Sequence, residues 1–321
     1  MGDRIRHPIR AAIIGMGHVG STCAYSLQLS GLVSEIILID RNPERAKGEA
    51  MDLNHGMPFA PPAQVWAGEF PDCAGADIVV LAAGAAQQPG ETRLDLLKRN
   101  AKVFQEIVPQ VVQHAADAIL IVVTNPVDVL TYVSWKVSNL PTSRIIGSGT
   151  ILDTSRFRYL ISQHFCVEPR SVHAYVIGEH GDSQVAVWSL ANIAGIKLDD
   201  YGHLNGGTMD ARAQAEITDK TRGAAYEIIK RKGSTYYAIA TGLVRLIEAI
   251  VRNENSVLTV SNLVQGTYGL SNVCLSLPCI VNRQGVVHAL ELPLALEEST
   301  ALQKSSQIIR SAIESLELVD A

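Results

Sequence analysis

The sequence contains no Cys-x-x-Cys pair, no His-Glu-x-x-His segment and no apolar run near the length of a membrane span. Each absence removes a class of function. The nine histidines and five cysteines (Cys23, Cys73, Cys166, Cys274 and Cys279) form no cluster at ligand spacing, so no metal centre is expected. An odd number of unpaired cysteines suits reduced thiols, and a cytoplasmic location is expected. Runs such as Ile119 to Val123 fall far short of the roughly 20 apolar residues that span a bilayer. The opening Met1 to Pro8 is polar and lacks the apolar core of a signal peptide, and Arg6 stands where myristoylation needs Ser or Thr. Positive charge is also scarce. With 27 Lys and Arg against 32 Asp and Glu, the net charge of -5 disfavours nucleic acid and anionic membranes as partners.

Core-forming material is abundant, at 47% hydrophobic and 18% charged residues, and no Ser/Gly/Pro-rich stretch or charge block marks a disordered tail. The 321 residues suffice for two domains of about 100 to 200 residues each. In the first half, short β-branched runs (Ala11 to Gly15, Glu35 to Asp40, Asp77 to Gly84, Ala118 to Thr124, Arg144 to Ser148) alternate with helical patterns. That alternation predicts βαβ units and a doubly wound parallel sheet, an α/β fold. The second half reads as α+β. A helical stretch from about Met209 to Ala249 breaks near Gly233, and strand-like runs follow at Val257 to Ser261, Val273 to Val281 and Val286 to Leu290. A last helix, Glu297 to Leu318, places Leu302, Ile309, Ile313 and Leu316 on one face. The expected domains are 1–149 and 150–321.

Five segments carry chemistry. Gly15-Met-Gly17-His-Val-Gly20 lies between a strand and a helix, the context in which a Gly-x-Gly-x-x-Gly turn binds the pyrophosphate of a dinucleotide at a helix N-terminus. Asp40 ends the next strand 20 residues after Gly20, where a carboxylate accepts from the ribose hydroxyls of NAD and repels the extra phosphate of NADP. The bland alternative is a glycine turn with Asp40 as a helix cap. Second, Ile177-Gly-Glu-His180-Gly-Asp-Ser183 sets a histidine between glycines, open to substrate and able to exchange a proton near neutral pH, or else simply bonded to backbone. Third, in Gly149-Thr-Ile-Leu-Asp153-Thr-Ser-Arg156-Phe-Arg158, Asp153 and Arg156 share a helix face. They form either a plain ion pair or a division of labour, in which Asp153 orients a histidine and Arg156 forks onto a carboxylate. Fourth, Gln87-Gln-Pro-Gly-Glu-Thr-Arg93 puts a neutral amide and a guanidinium one loop apart. Thr124-Asn125-Pro126-Val-Asp128 ends a further strand at the ligand-binding edge of such sheets.

Together with Lys232-Gly-Ser-Thr235-Tyr-Tyr-Ala-Ile239, these segments resemble the L-lactate and malate dehydrogenase family along the whole chain, on the side of the L-lactate dehydrogenases. The resemblance implies a Rossmann NAD-binding domain followed by a substrate domain, with NAD as cofactor. It implies His180 as acid/base, Asp153 as its orienting partner, Arg156 as clamp on the substrate carboxylate, Arg93 as the group polarising the carbonyl and Asn125 as a donor to the substrate oxygen. Gly15, Gly17, Val19, Gly20, Asp40, Arg45, Gly84, Ala85, Thr124, Asn125 and Ser148 match positions around the cofactor. Malate dehydrogenases meet the second carboxylate of their substrate with an arginine where Gln87 stands here. Gln87 and Thr235 therefore imply pyruvate and L-lactate rather than a dicarboxylate. Arg158 and His173 match positions that bind fructose 1,6-bisphosphate in many bacterial members, although members without that regulation carry the same residue types. A bacterial type is also implied, and a homotetramer, although a dimer fits the sequence equally well. A catalytically silent NAD-binding protein on this fold would be expected to lack His180, Asp153, Arg156 or Arg93, and all four are present.

Overall fold

The computed structural model describes residues 8–85 and 92–316, with the backbone alone at Arg93. Strand and helix alternate through the first half as β1 (Arg10–Ile14), α1 (His18–Ser30), β2 (Glu35–Ile39), α2 (Pro43–His55), β3 (Gln64–Ala67), β4 (Ile78–Leu81), α3 (Arg93–His114), β5 (Ile119–Val122), α4 (Val127–Ser138) and β6 (Ile145–Gly147). The chain continues as α5 (Ile151–Phe165), β7 (Val172–Ile177), β8 (Val185–Ile193), β9 (Ile196–Lys197), α6 (Leu198–Asn205), α7 (Ala211–Lys232), α8 (Tyr237–Val251), β10 (Ser256–Gln265), β11 (Ser271–Asn282), β12 (Gly285–Ala289) and α9 (Leu296–Glu314).

The first six strands run parallel in the order β3-β2-β1-β4-β5-β6. Ile78–Leu81 and Ile119–Val122 are buried along their whole length. Such continuous apolar runs are what a parallel sheet covered on both faces requires. One face packs Leu120 and Leu81 with Phe104 and Val108 of α3, all fully buried. Truncating Leu120 or Phe104 to Ala in such packing costs about 2–5 kcal/mol. The strand order reverses between β1 and β4, which opens a crevice at the carboxyl ends of those strands, the usual ligand position in doubly wound sheets.

The sheet does not stop at β6. Ser261 of β10 pairs antiparallel with Gly147, and β11 and β12 follow to make nine strands. Gly147 permits this approach, because a Cβ there would stand 2.3 Å from Thr131 Oγ1 and 2.8 Å from Ser261 Cβ. A separate antiparallel sheet, β7-β8-β9, joins the large one through a bridge between Gly178 and Ser276. The α/β class with an α+β second half is as expected, while the central sheet is shared by both halves.

Element ends differ from the sequence reading in instructive places. The break in the long helical stretch falls at Gly233, whose φ of +85° ends α7. The last helix stops at Glu314, with Leu302, Ile309 and Ile313 buried as the pattern predicted. Strand β10 runs past Ser261 to Gln265 because it stays paired with β11 as far as Gln265 and Ser271, and the polar Asn262 within it donates to the carbonyls of Thr142 and Ile145 at 2.7 and 2.8 Å. Strands β3, β8 and the two-residue β9 were not expected. In β8 the residues Trp188 to Leu190 are all only partly buried, which interrupts the period-2 alternation that would have marked a strand.

Candidate active site

The glycine turn is built as its spacing required. Gly15 adopts a φ of +101°, and a Cβ there would lie 2.4 Å from Ala83 N, so β1 and the end of β4 approach too closely for any side chain. Gly20 lets α1 close on the turn, since its Cβ would stand 1.9 Å from Gly15 O. Gly17 is the N-cap of α1 with no side-chain cap, and nothing lies within 4 Å of the position its Cβ would take. The amides of the first turn, Val19 among them, therefore face open space at the positive end of the helix, which suits a pyrophosphate. Asp40 follows β2, and its carboxylate reaches back to accept from Met16 N at 2.7 Å and from Asn42 N at 2.9 Å. These residues fit a dinucleotide.

Across the crevice, Gly84 follows β4 where a Cβ would collide with Thr124 Cγ2 at 2.4 Å, and Thr124 Oγ1 donates to Ala83 O at 2.7 Å. Ala85 N donates to Asn100 Oδ1 at 2.9 Å, while Asn100 Nδ2 donates to Asn125 O at 3.0 Å. Asn100 thus ties the ends of β4 and β5 together. Asn125 is exposed at the sheet edge, and its side-chain amide makes no hydrogen bond among the described residues. Ser148 is buried, with its amide on Val122 O at 2.8 Å. Arg45 is exposed on α2, five residues after Asp40, with Glu49 at 4.0 Å. Helix α3 starts at Arg93 because Thr92 caps it, Thr92 Oγ1 accepting from Asp95 N at 3.1 Å and Asp95 Oδ2 accepting from Thr92 N at 3.2 Å. Gln87 lies outside the described residues, and so does the side chain of Arg93.

The cluster around His180 is assembled by three elements. The start of α5 is fastened to β7 and β10 by buried threonines: Thr150 Oγ1 donates to Val176 O at 2.5 Å, Val176 N to Thr154 Oγ1 at 3.0 Å, and Thr259 Oγ1 to Thr154 Oγ1 at 2.8 Å. This fixes Asp153 beneath the loop that follows β7. Asp153 Oδ2 lies 2.5 Å from His180 Nδ1, and its Oδ1 accepts from Arg156 Nη1 at 2.9 Å. An ionised carboxylate only accepts, so Nδ1 carries the hydrogen and Nε2 is left for a substrate. Burial alone would lower the His180 pKa, but the Asp153 carboxylate, helped by Asp128, outweighs it and raises it. Burial pushes Asp153 up in turn, and His180 and Arg156 overcome this to hold it below the usual carboxylate range. Arg156 is largely buried and commits a single N–H among the described residues, which leaves most of its planar fork for a second carboxylate.

Thr235 sits half-buried in the turn between α7 and α8. The next residue, Tyr236, stacks on His18 of the glycine turn with ring centroids 5.2 Å apart, so the Thr235 turn and the cofactor crevice share one wall. The residues brought together from the sequence reading are therefore the glycine turn with Asp40, and His180 with Asp153 and Arg156. Two polar residues had no role assigned in the sequence reading, Asn100, which it did not name, and Asp128, which it named only as the end of a segment. Asn100 stands on the buried face of α3 with Leu97, Ala101 and Phe104, a polar residue on an apolar stripe being the signal. Asp128 is buried and accepts from His180 N at 2.7 Å through Oδ2, and its signal was a charge set among the apolar residues that open α4.

Comparison with known proteins agrees with this geometry. The pattern of the family described as "lactate/malate dehydrogenase, NAD binding domain" matches residues 9–147, and that of its "alpha/beta C-terminal domain" matches residues 150–318. The chain belongs to the lactate/malate dehydrogenase family. Its first half is the NAD-binding part of that family, and NAD is the cofactor that the glycine turn and Asp40 would hold. Among dehydrogenases of the family, an L-lactate dehydrogenase of Acetivibrio thermocellus is 54% identical over 309 residues, 96% of this chain and 98% of that protein. One from Priestia megaterium is 51% identical over 302 residues, 94% of each. Among solved structures, a minor L-lactate dehydrogenase from Enterococcus mundtii in a ligand-bound form superposes with a TM-score of 0.94 at 40% identity, covering 97% of this chain and 99% of that one. Among the described residues no helix is long and apolar enough to cross a membrane, and no group of three or more His, Cys, Asp or Glu is placed to hold a metal ion.

Proposed function

We infer that this chain catalyses the NAD-dependent interconversion of pyruvate and L-lactate. The observation that carries the inference is the Asp153–His180 pair with Arg156 on the second carboxylate oxygen: a proton donor held beside a guanidinium fork suited to a carboxylate. Such an arrangement fits a 2-oxo acid, whose carbonyl and carboxylate are adjacent. The relatives of about half identity named as L-lactate dehydrogenases support the same substrate.

Held by the glycine turn and Asp40, the reduced cofactor would supply a hydride for the carbonyl carbon of the substrate. His180 gives its Nε2 proton to the carbonyl oxygen, Asp153 balances the imidazolium, and Arg156 pairs with the substrate carboxylate. Arg93 stabilises the negative oxygen as it develops, a role often worth roughly 3 kcal/mol, and Asn125 donates to the same oxygen. Lactate oxidation runs the same steps backwards, with neutral His180 accepting the proton. Gln87 and Thr235 favour a monocarboxylate, since a second buried anion would need a cation neither residue supplies. Around the cofactor, Gly15, Gly17, Val19 and Gly20 take the pyrophosphate and Asp40 the ribose, with Gly84, Ala85, Thr124, Asn125, Ser148 and Arg45 completing the lining. Residues 1–149 serve as the cofactor domain and 150–321 as the substrate domain.

The assembly we propose is a homotetramer working in the cytoplasm, a setting consistent with five free cysteines. Regulation by fructose 1,6-bisphosphate would use Arg158 and His173. In support, Arg158 lines a cavity of about 600 Å³ with Arg170, Tyr175 and Arg245, and burial lowers its pKa, so an anion there would relieve a desolvated charge. His173 is exposed on β7, two residues before Tyr175. The deciding experiment is NADH oxidation with pyruvate and with oxaloacetate, each with and without fructose 1,6-bisphosphate. Pyruvate should be preferred and the effector should raise the rate. Preference for oxaloacetate would overturn the substrate, and indifference to the bisphosphate would overturn the effector site.

A further inference from the structure

The loop carrying His180 is held through three consecutive backbone amides of its own, each donating to a different element. Gly178 N donates to Ser276 O of β11 at 2.8 Å, Glu179 N to Ser305 Oγ of α9 at 2.8 Å, and His180 N to Asp128 Oδ2 of α4 at 2.7 Å. The first two anchors belong to the second half of the chain. The third is the only one of the three from the cofactor-binding half and the only one that can bear a charge. Asp128 is 2% exposed, yet its Oδ1 is buried without a hydrogen-bond partner among the described residues. The Ser261 hydroxyl of β10 lies near enough to favour the ionised carboxylate, but it too is buried without a hydrogen bond of good geometry. A carboxylate buried this deeply, with burial the largest influence on it and only the Ser261 hydroxyl near its second oxygen, opposes folding, so its place beside His180 calls for another explanation.

We propose that Asp128 is a positioning residue for the reaction, fixing His180 to the cofactor-binding half of the chain and placing a second negative charge behind its imidazole. The proposal rests on the reading of His180 as the acid/base. Two carboxylates then hold the same residue, Asp153 on the ring nitrogen and Asp128 on the backbone nitrogen of His180. The other titratable groups acting here are Arg156, which opposes the imidazolium, Glu179, which opposes ionisation of Asp128, and Cys274 on β11, which burial and Asp128 keep as the neutral thiol. Asp128 occupies the first turn of α4, where free amides favour a negative side chain. Burial nevertheless pushes its carboxyl up to about 6, so the charge is present above that pH and fades below it.

Asp128→Asn tests the charge alone, because the amide oxygen still accepts from His180 N. In the tetramer or dimer as purified, pyruvate reduction should fall about tenfold at neutral pH with KM for pyruvate and NADH binding little changed. The high-pH limb of the reduction rate should move to lower pH, and the ratio of wild type to variant should shrink toward one as pH falls through about 6. Asp128→Ala removes the anchor as well and should lose about 100-fold or more. Asp128→Asn with an unchanged rate and pH limb would overturn the proposal, as would a folded, NADH-binding Asp128→Ala of normal turnover. His180→Asn separates the two readings. If it is inactive while both Asp128 variants match wild type, the role of Asp128 alone fails; if it is active, the role of His180 fails first.

Discussion

Replacing Asp153 by Asn removes one charge and one acceptor oxygen from the centre of the site. At present Oδ2 serves His180 Nδ1 at 2.5 Å and Oδ1 serves Arg156 Nη1 at 2.9 Å. An amide has one acceptor oxygen, so one of these partners must face an NH2 group. If that partner is His180, the hydrogen moves to Nε2, and the ring can no longer accept the proton of lactate. If it is Arg156, two donors oppose one another and the fork swings away from the substrate carboxylate. A charge-assisted hydrogen bond contributes about 1.5–3 kcal/mol, and breaking a buried ion pair costs about 3–5 kcal/mol. A loss of roughly 3 kcal/mol is about 10² in rate, and a wrong tautomer in a hydrolytic triad sets a scale of about 10⁴. The expected fall in kcat/KM for pyruvate is therefore about 10² to 10⁴, with NADH affinity retained.

The pH profile gives an independent reading of the same change. Reduction consumes the imidazolium, so its rate is full at low pH and falls as pH rises through the raised His180 pKa, while lactate oxidation rises over the same range. Without the Asp153 charge, burial is left to dominate and both limbs move to lower pH. Steady-state NADH oxidation and NAD reduction over a pH series would measure both. A variant within about threefold of wild type, with its limbs in place, would refute the role assigned to Asp153.

Gln87→Arg should raise oxaloacetate turnover and depress that of pyruvate; an unchanged ratio of the two kcat/KM values would take Gln87 out of the specificity argument. Asp40→Ala should weaken NAD binding by titration while leaving NADP binding little affected, and equal losses would contradict the ribose assignment. Asp128→Asn should stabilise the fold at neutral pH by about 1–3 kcal/mol, because a carboxyl at about 6 when folded and near 3.8 when unfolded favours the native state only while protonated. That favourable contribution is full below the unfolded value and is lost as pH rises through about 6, so melting temperatures of the two proteins should converge in acid and separate above it.

The cofactor turn was legible because its determinants are local. Strand, three glycines, helix and an acid at the end of the next strand occupy a single βαβ unit, and the contacts they imply, such as Met16 N to Asp40 Oδ2, involve residues close in sequence. The His180 centre was legible only in part. Its residue types were conspicuous between glycines and at the start of a helix, but nothing local says that Asp153 and His180 meet. That contact depends on Thr150, Thr154 and Thr259, which lock α5 to β7 and β10 through bonds between residues up to 109 apart. Strand β8 was obscured because its middle residues are half-covered rather than alternately in and out. Asn100 and Asp128 were passed over for a common reason. Each is a polar residue on an otherwise buried helix surface, and which backbone group it serves is decided by tertiary packing.

Those buried polar residues account for how two halves of a chain can hold one reaction geometry. The apolar core of the central sheet sets its layers, but apolar packing is non-directional and does not define where a ring nitrogen points. Direction comes from Asn100, which joins the ends of β4 and β5, and from the threonines beneath Asp153. It comes as well from the three amide anchors of residues 178–180. Of these, Asp128 alone carries a charge whose burial opposes folding. An amide in its place would keep the hydrogen bond and relieve that opposition, so a requirement for position alone would be met by the more stable residue. A gain in stability and a loss of rate in the same Asp128→Asn variant would mean that the charge itself acts on His180.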